Sequence, residues 1–215
     1  MTKRHSGKEI LENAYKLQTP EDNVAYYDEF ATIYDIDFAQ DMGWDYPRAI
    51  AGIYADIAES TDVPIADIGC GTGLVAAELR VSRDTIDGFD ISPEMLRIAK
   101  TKTLYRALYE ADLTGRLDAF PNDYGAVVSA GTFTHGHLGP ETLENLLTMG
   151  RPRSLFVIGI NKAHYKALNF GRMIAELKEG SKIPQAELHE IPMYSKTDHE
   201  HGSDVAMVLT FRKSE

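Results

Sequence analysis

The sequence predicts an α/β protein built on a doubly wound, mostly parallel seven-stranded sheet, preceded by an N-terminal helical extension. Three observations predict it. Ile65 to Gly73 reads IADIGCGTG, apolar residues running into an acid and then three glycines alternating with small residues; this is the pattern of a buried strand, a tight turn and the first turn of a helix. From there on, short apolar runs alternate with helical patterns, the order that specifies a parallel sheet covered by helices. The last two runs, AELHEIPMYS and DVAMVLTFRK, alternate apolar and polar residues around the polar turn KTDHEHGS, which closes the sheet with an antiparallel pair.

The elements follow in order. Before the glycine segment lie two helical patterns, one over Lys8 to Leu17 and one carrying Tyr26, Tyr27, Phe30, Ile33 and Tyr34. After it, Leu74, Val75, Ala76 and Leu79 form an apolar helical face, and TIDGFD is a second strand ending in Asp90. In ISPEMLRIAKTK, Ser92 stands as an N-cap, Pro93 at the first helical position and Glu94 in the first turn, with Met95, Leu96, Ile98 and Ala99 on the buried side. Asp112 and Leu113 come just beyond a third strand, and YGAVVSAGTFTH gives a fourth strand ending near Ser129. GPETLENLLTMG reads as a helix, RSLFVIGIN as a buried strand and AHYKALNFGRMIAELKEG as one longer amphipathic helix.

Composition narrows the function. A chain of 215 residues with 43% hydrophobic content is long enough for one sizeable core, so the expectation is a single domain, with 1–45 as the extension and 46–215 as the core. A net charge of −11 argues against nucleic acid and anionic membranes as partners, since affinity for phosphates comes from lysine and arginine. The one cysteine, Cys70, excludes an internal disulfide and fits a reducing compartment; with no apolar run of signal-peptide or membrane-spanning length, the expected location is cytoplasmic. His199 and His201 in DHEHGSD read as a solvated turn, and no metal site is expected.

Glycines at Gly69, Gly71 and Gly73 let the backbone approach a nucleoside cofactor where a Cβ would collide or a positive φ would strain. A dinucleotide fingerprint would need its third glycine one position later, where Leu74 stands, so NAD is disfavoured. An acid, Asp67, two residues before G-x-G-x-G resembles motif I of the class I S-adenosylmethionine (SAM) methyltransferases. The similarity covers roughly Asn23 to Lys213 and implies the Rossmann-like fold of that superfamily, SAM as cofactor and S-adenosylhomocysteine as product. YYDEFATIYD, GTFTHGHLGPETL and INKAHYKALNFGRMIAELKEG look closest to the methyltransferase-like proteins related to the Williams-Beuren region protein. One departure stands out: the family's Pro-Gly-Gly turn before the fifth strand is replaced by Arg151, Pro152, Arg153 and Ser154.

The resemblance also implies roles. Gly69, Cys70 and Gly71 would lie against the cofactor, Cys70 as a small residue rather than a nucleophile, and Asp67 would orient its methionine end. Asp90 would accept from the ribose hydroxyls. Ile91 and Met95 would pack beside the adenine, Asp112 and Leu113 would hydrogen-bond it, and Ser129 would meet the methionine amino group. Each has a plainer alternative: Asp67 a cap, Asp112 an Asx turn, Met95 core. Asn23 to Met42 would form a lid, with Tyr27 and Tyr34 as cofactor contacts. Phe30 and His137 would shape the acceptor site, and His135, just past the fourth strand, would act as general base or else be an idle loop histidine.

The fourth strand runs into S-A-G-T-F-T-H, without the Asn/Asp-Pro-Pro-Tyr/Phe pattern that grips bases and amides and without an acidic cluster for magnesium. The expected function is therefore methyl transfer from SAM to an O, N or S atom of a small molecule. A non-catalytic SAM-binding or regulatory protein, and a protein-modifying methyltransferase, are the competing readings.

Overall fold

Every residue of β1 (Ile65–Ile68) is buried, as a central parallel strand covered on both faces must be. The computed structural model describes residues 7–14, 16–17 and 19–215. Around β1 stand β2 (Ile86–Asp90), β3 (Ala107–Glu110), β4 (Tyr124–Phe133), β5 (Gly150–Asn161), β6 (Glu187–Pro192) and β7 (Val205–Arg212), in the order β3-β2-β1-β4-β5-β7-β6. The first five run parallel and β7 runs antiparallel between β5 and β6. The strand order reverses between β1 and β4, so the connections leaving their C-terminal ends diverge and open a crevice there.

Side chains alternate across the sheet with the strand period of two. Ala126 and Val128 of β4, with Leu155 and Val157 of β5, join the core on the face covered by the N-terminal helices. Val127, Phe156 and Ile158 join the core on the opposite face. The N-terminal helices are α1 (Gly7–Ala14), α2 (Pro20–Phe30), a π-helical segment over Tyr34–Gln40, and α3 (Tyr46–Ile57); α4 (Leu74–Glu78), α5 (Pro93–Thr101), α6 (Glu141–Leu146), α7 (Lys162–Ala167) and α8 (Phe170–Glu179) follow. Of the helix expected over Lys8 to Leu17, Tyr15 lies outside the described residues, as do residues 1–6 of the extension. None of the described helices is long and apolar enough to cross a membrane.

Local chemistry sets the helix starts. Thr19 caps α2 through a capping box: its hydroxyl accepts from the Asp22 N–H at 3.1 Å while the Asp22 carboxylate accepts from the Thr19 N–H at 3.2 Å. Ser92 caps α5, its Oγ accepting from the Met95 N–H at 3.1 Å, with Pro93 at the first position as the sequence predicts.

The structure departs from the expected elements in four places. The sequence reading places no helix over Tyr46–Ile57, yet α3 buries Ile50, Ala51 and Tyr54. It sits close to the sheet because Gly159 of β5 has no Cβ, which would fall 2.0 Å from the Tyr46 hydroxyl. Strand β4 passes Ser129 and continues to Phe133: between Ser129↔Ile158 and Phe133↔Ile160 it carries two extra residues, and the bulge places Gly131 at φ 84°. The expected long helix after β5 is two helices, because Asn169 takes a left-handed φ of 54° between α7 and α8; asparagine is among the few non-glycine residues that do so at low cost. Where the Pro-Gly-Gly turn is missing, β5 starts with a bulge at Arg153 (φ 65°), and the Arg151 guanidinium ties it down by donating to the carbonyls of Val63 at 3.2 Å and Asp123 at 3.1 Å.

Candidate active site

Asp90 ends β2 at the mouth of the crevice and holds two loops together. Its Oδ2 accepts from the Gly71 N–H at 2.8 Å and its Oδ1 from the Ser92 N–H at 2.9 Å. Burial, the largest cause, and the neighbouring Asp28 push its carboxyl up, while these backbone N–H groups pull it down. Each oxygen keeps a further lone pair for a ligand hydroxyl.

The glycines of the loop have different reasons. A Cβ on Gly69, at φ 64°, would fall 1.9 Å from Thr132 Oγ1, so this glycine admits the bulge of β4. Gly71, at φ 51°, has open space where its Cβ would be, and both line the crevice. Cys70, also on the wall, is 5% exposed; burial pushes its thiol well up, which keeps it from being a thiolate nucleophile.

The crevice encloses a cavity of about 170 Å³. Along its wall are Gly69, Cys70, Gly71, Asp90, Ile91, Met95, Asp112, Leu113, Tyr27, Tyr34 and His137, so eleven of the expected site residues converge there. Asp112 lines the cavity and also forms an Asx turn, its Oδ1 accepting from the N–H (2.9 Å) and hydroxyl (2.6 Å) of Thr114. The two readings of this residue are compatible, since Oδ2 is not used in the turn.

Four expected residues stand off the cavity wall. Asp67 is fully buried beneath the loop and accepts from the Tyr105 hydroxyl at 2.8 Å; burial pushes its carboxyl up to about 7. Ser129 is fully buried and donates to the Ile68 carbonyl at 2.8 Å; its neighbour Ala130 reaches the wall instead. Phe30 is 4% exposed and packs on Tyr26, ring centroids 4.8 Å apart, as core. His135 packs against His164, centroids 5.3 Å apart, while His137 turns into the cavity.

The His137 tautomer follows from its neighbours. Nδ1 lies 2.8 Å from the His135 carbonyl, which can only accept, so Nδ1 carries the proton and Nε2 is the acceptor for the Tyr27 hydroxyl at 3.2 Å. Burial pushes the His137 imidazole down to about 4, which leaves it neutral at physiological pH.

Sequence reasoning missed Asn23, Trp44 and the bulge residues Gly131 and Thr132, all on the cavity wall. Asn23 donates through Nδ2 to the carbonyls of Thr19 (2.9 Å) and Gly136 (2.8 Å), so its Oδ1 is fixed as the other end of the amide. That Oδ1 is buried without a hydrogen-bond partner among the described residues, an acceptor waiting for a ligand donor. Trp44, the only tryptophan of the chain, would have been findable as an aromatic just before the Asp45-Tyr46-Pro47 start of α3.

A second, smaller chamber of about 40 Å³ adjoins the cavity and shares Tyr27, Tyr34, Trp44, Gly131 and His137 with it. Phe38, Tyr46 and Phe133 complete its aromatic lining. Over both spaces α2 and the π-helical segment are fastened by carboxylates. Asp28 accepts from Ser92 Oγ at 2.6 Å and from the Glu94 N–H at 3.2 Å. Asp35 accepts from Thr72 Oγ1 at 2.5 Å and pairs with Lys102.

A doubly wound sheet in this strand order, with a glycine loop after β1 and an acid ending β2, has at its switch point the place where such folds take nucleoside-containing cofactors. Residues 65–152 match the family model for a methyltransferase domain. A dTDP-3-amino-3,6-dideoxy-alpha-D-glucopyranose N,N-dimethyltransferase of Streptomyces fradiae is 29% identical over 102 residues, 46% of this chain and 40% of the relative's length; the match thus spans less than half of that relative. Among solved structures, a TehB-like SAM-dependent methyltransferase from Corynebacterium glutamicum is 21% identical, with a TM-score of 0.59 over 88% of this chain and 99% of the other. Haemonchus contortus phosphoethanolamine N-methyltransferase 2, in complex with phosphomonomethylethanolamine and S-adenosylhomocysteine, is 13% identical, with a TM-score of 0.58 over 91% of this chain and 59% of the other. At such identities the structures speak for the fold. Residues 65–152, less than half of the chain, thus match a methyltransferase domain, and the fold is that of class I SAM-dependent methyltransferases; SAM is the group that such a fold binds.

The residues present fit that group. The open face of Gly71 accommodates close backbone approach, the spare lone pairs of Asp90 suit a ribose diol, and the orphaned Asn23 Oδ1 offers an acceptor to an N–H or O–H.

Proposed function

We propose that this chain transfers the methyl group of SAM to an O, N or S atom of a small-molecule acceptor, within a reducing, cytoplasmic compartment. The observation that carries the reading is the juxtaposition of a cavity walled by Gly71, Asp90, Ile91, Met95 and Leu113 with a small aromatic chamber opening from it. Asp90 would hold the ribose, Ile91, Met95 and Leu113 would pack on the adenine, and Asp112 would accept from it. Bound SAM supplies a methyl carbon made electrophilic by its sulfonium.

Transfer is an in-line displacement, so the protein's task is alignment and the exclusion of water. Tyr27, Tyr34 and Trp44, shared by the two spaces, would hold the acceptor atom against the methyl group. With the His135 ring packed on His164, its expected role falls to His137 and Tyr27: the neutral imidazole fixes the Tyr27 hydroxyl, whose oxygen would receive a hydrogen bond from the acceptor and orient its nucleophilic lone pair. The segment from Asn23 to Met42 acts as a lid, fastened by Asp28 and Asp35. Incubation with SAM carrying an isotopic label in the methyl group, against pools of small molecules, tests the proposal: label transferred to a small acceptor supports it. SAM binding without transfer to any pool identifies a non-catalytic binder, and transfer only to protein identifies a protein-modifying enzyme.

A further inference from the structure

The two spaces share a charge pattern. Among their described lining residues no lysine or arginine occurs, and the only carboxylates are Asp90 and Asp112, both on the wall of the larger cavity. The smaller chamber has no charged side chain among its described lining residues and six tyrosine, tryptophan and phenylalanine rings. A phosphate or carboxylate on the acceptor would enter it without a partner, at the cost of burying an unpaired anion. Aromatic faces, by contrast, attract a cation through their quadrupoles, tryptophan and tyrosine best. Tyr27, Tyr34, Phe38, Trp44 and Tyr46 are such faces, and Tyr27 and Trp44 stand at the boundary with the cavity.

Size narrows the acceptor further. At roughly 10–15 Å³ per water-sized group, a chamber of about 40 Å³ holds about three such groups, the bulk of a methylamino or dimethylamino end. Proton handling points the same way. A hydroxyl must give up its proton as it attacks, and a neutral His137 held by Tyr27 on one nitrogen and by the His135 carbonyl on the other has no free lone pair with which to take it. A thiolate would need a cation that the described lining lacks. A primary or secondary amine needs neither, since once deprotonated it attacks with its own lone pair.

We propose that the acceptor is a small aliphatic amine without phosphate or carboxylate, whose nitrogen enters the aromatic chamber between Tyr27, Tyr34 and Trp44 and receives the methyl group there. The inference rests on the SAM-dependent reading above. The amine docks as its ammonium form against the aromatic faces and, desolvated there, gives its proton to solvent before it attacks. The nitrogen lone pair then forms the N–C bond as the C–S bond breaks, its electron pair returning to sulfur, and the positive charge passes from sulfonium to the methylated ammonium. The charge is thus present throughout and remains within reach of the aromatic faces, whereas methylation of a thiolate or alkoxide would extinguish it.

Because Trp44 is the only tryptophan and lines both spaces, its fluorescence reports acceptor binding without turnover. The unmodified full chain, saturated with S-adenosylhomocysteine, is titrated with propylamine, dimethylamine and benzylamine, and with propan-1-ol, propane-1-thiol, propionate and phosphoethanolamine; methyl-labelled SAM is then offered with each. The expected result is a change of Trp44 emission with the amines, at dissociation constants at least about tenfold below those of the alcohol and the anions, and label on nitrogen alone. An unperturbed Trp44 with all three amines, or label on the alcohol, the thiol or phosphoethanolamine in preference to them, overturns the amine assignment while leaving SAM-dependent transfer standing. Failure of S-adenosylhomocysteine itself to bind, read by calorimetry beforehand, overturns the SAM reading and the amine inference with it.

Discussion

The Tyr27 hydroxyl donates to Nε2 of His137 across 3.2 Å, joining the lid helix α2 to the loop that follows β4. This bond fixes the imidazole from the side that its Nδ1–H does not reach, and it belongs to both the cavity and the aromatic chamber. Tyr27→Phe leaves a buried acceptor without a donor. The expected loss is about 1–3 kcal/mol of folding stability, read by urea denaturation, together with reduced methyl transfer. A variant as stable and active as the parent would show that water replaces the hydroxyl at no cost.

The pH dependence of stability carries the signature of His137. Its folded pKa, lowered to about 4 by burial and further by His164 and His135, lies below the ordinary imidazole value of about 6.5. A group depressed in this way stabilises the fold fully above 6.5, and that contribution is lost as pH falls through 4. Between pH 7 and pH 4, His137 accounts for a loss of about 3 kcal/mol, which His137→Gln should remove from the acid limb of the unfolding profile. An unchanged acid limb in the variant would place the titration elsewhere.

Asp67 behaves with the opposite sign. Burial raises its pKa from 3.8 to about 7 against the opposing Tyr105 hydrogen bond, so its stabilising contribution is fully present below about 4 and lost as pH rises through 7. Asp67→Asn, which keeps an oxygen for Tyr105, should gain melting temperature over the parent progressively from pH 4 to pH 7 and hold that gain, level, at higher pH. A parallel pair of curves over that range would mean that Asp67 is ionised throughout.

Asp35 fastens the π-helical segment to the glycine loop through Thr72 and to α5 through Lys102. Asp35→Asn should cost about 1 kcal/mol locally and speed amide exchange across Asn23 to Met42, with S-adenosylhomocysteine restoring protection. Equal exchange in parent and variant, unaltered by ligand, would make this segment ordinary core packing.

Much of this architecture is legible in the residues themselves. The β1–glycine loop–β2–α5 unit shows because strand burial, positive φ and the Ser92-Pro93 cap each leave a distinct local mark. The site is legible where backbone constraint dictates it, as at Gly71 and Asp90. It is obscured where a long-range contact decides. The β4 bulge depends on Gly69 making room for Thr132, and that bulge moves the wall from Ser129 to Ala130. His135 and His137 are equivalent in sequence, and only the packing of His164 against the first and of Tyr27 against the second separates them. Helix α3 does leave a local mark, Pro47 in its first turn and Tyr46, Ile50 and Tyr54 at helical spacing; only its fit over Gly159 is tertiary.

Calorimetric titration of S-adenosylhomocysteine into the parent chain and into Asp90→Ala tests the central claim most directly, because Asp90 joins the glycine loop to α5 at the point where the cofactor ribose should lie. The result predicted is micromolar binding to the parent, weakened about 10- to 100-fold in the variant, as for loss of hydrogen bonds to a charged group. No binding to the parent, or equal binding to both chains, would contradict it.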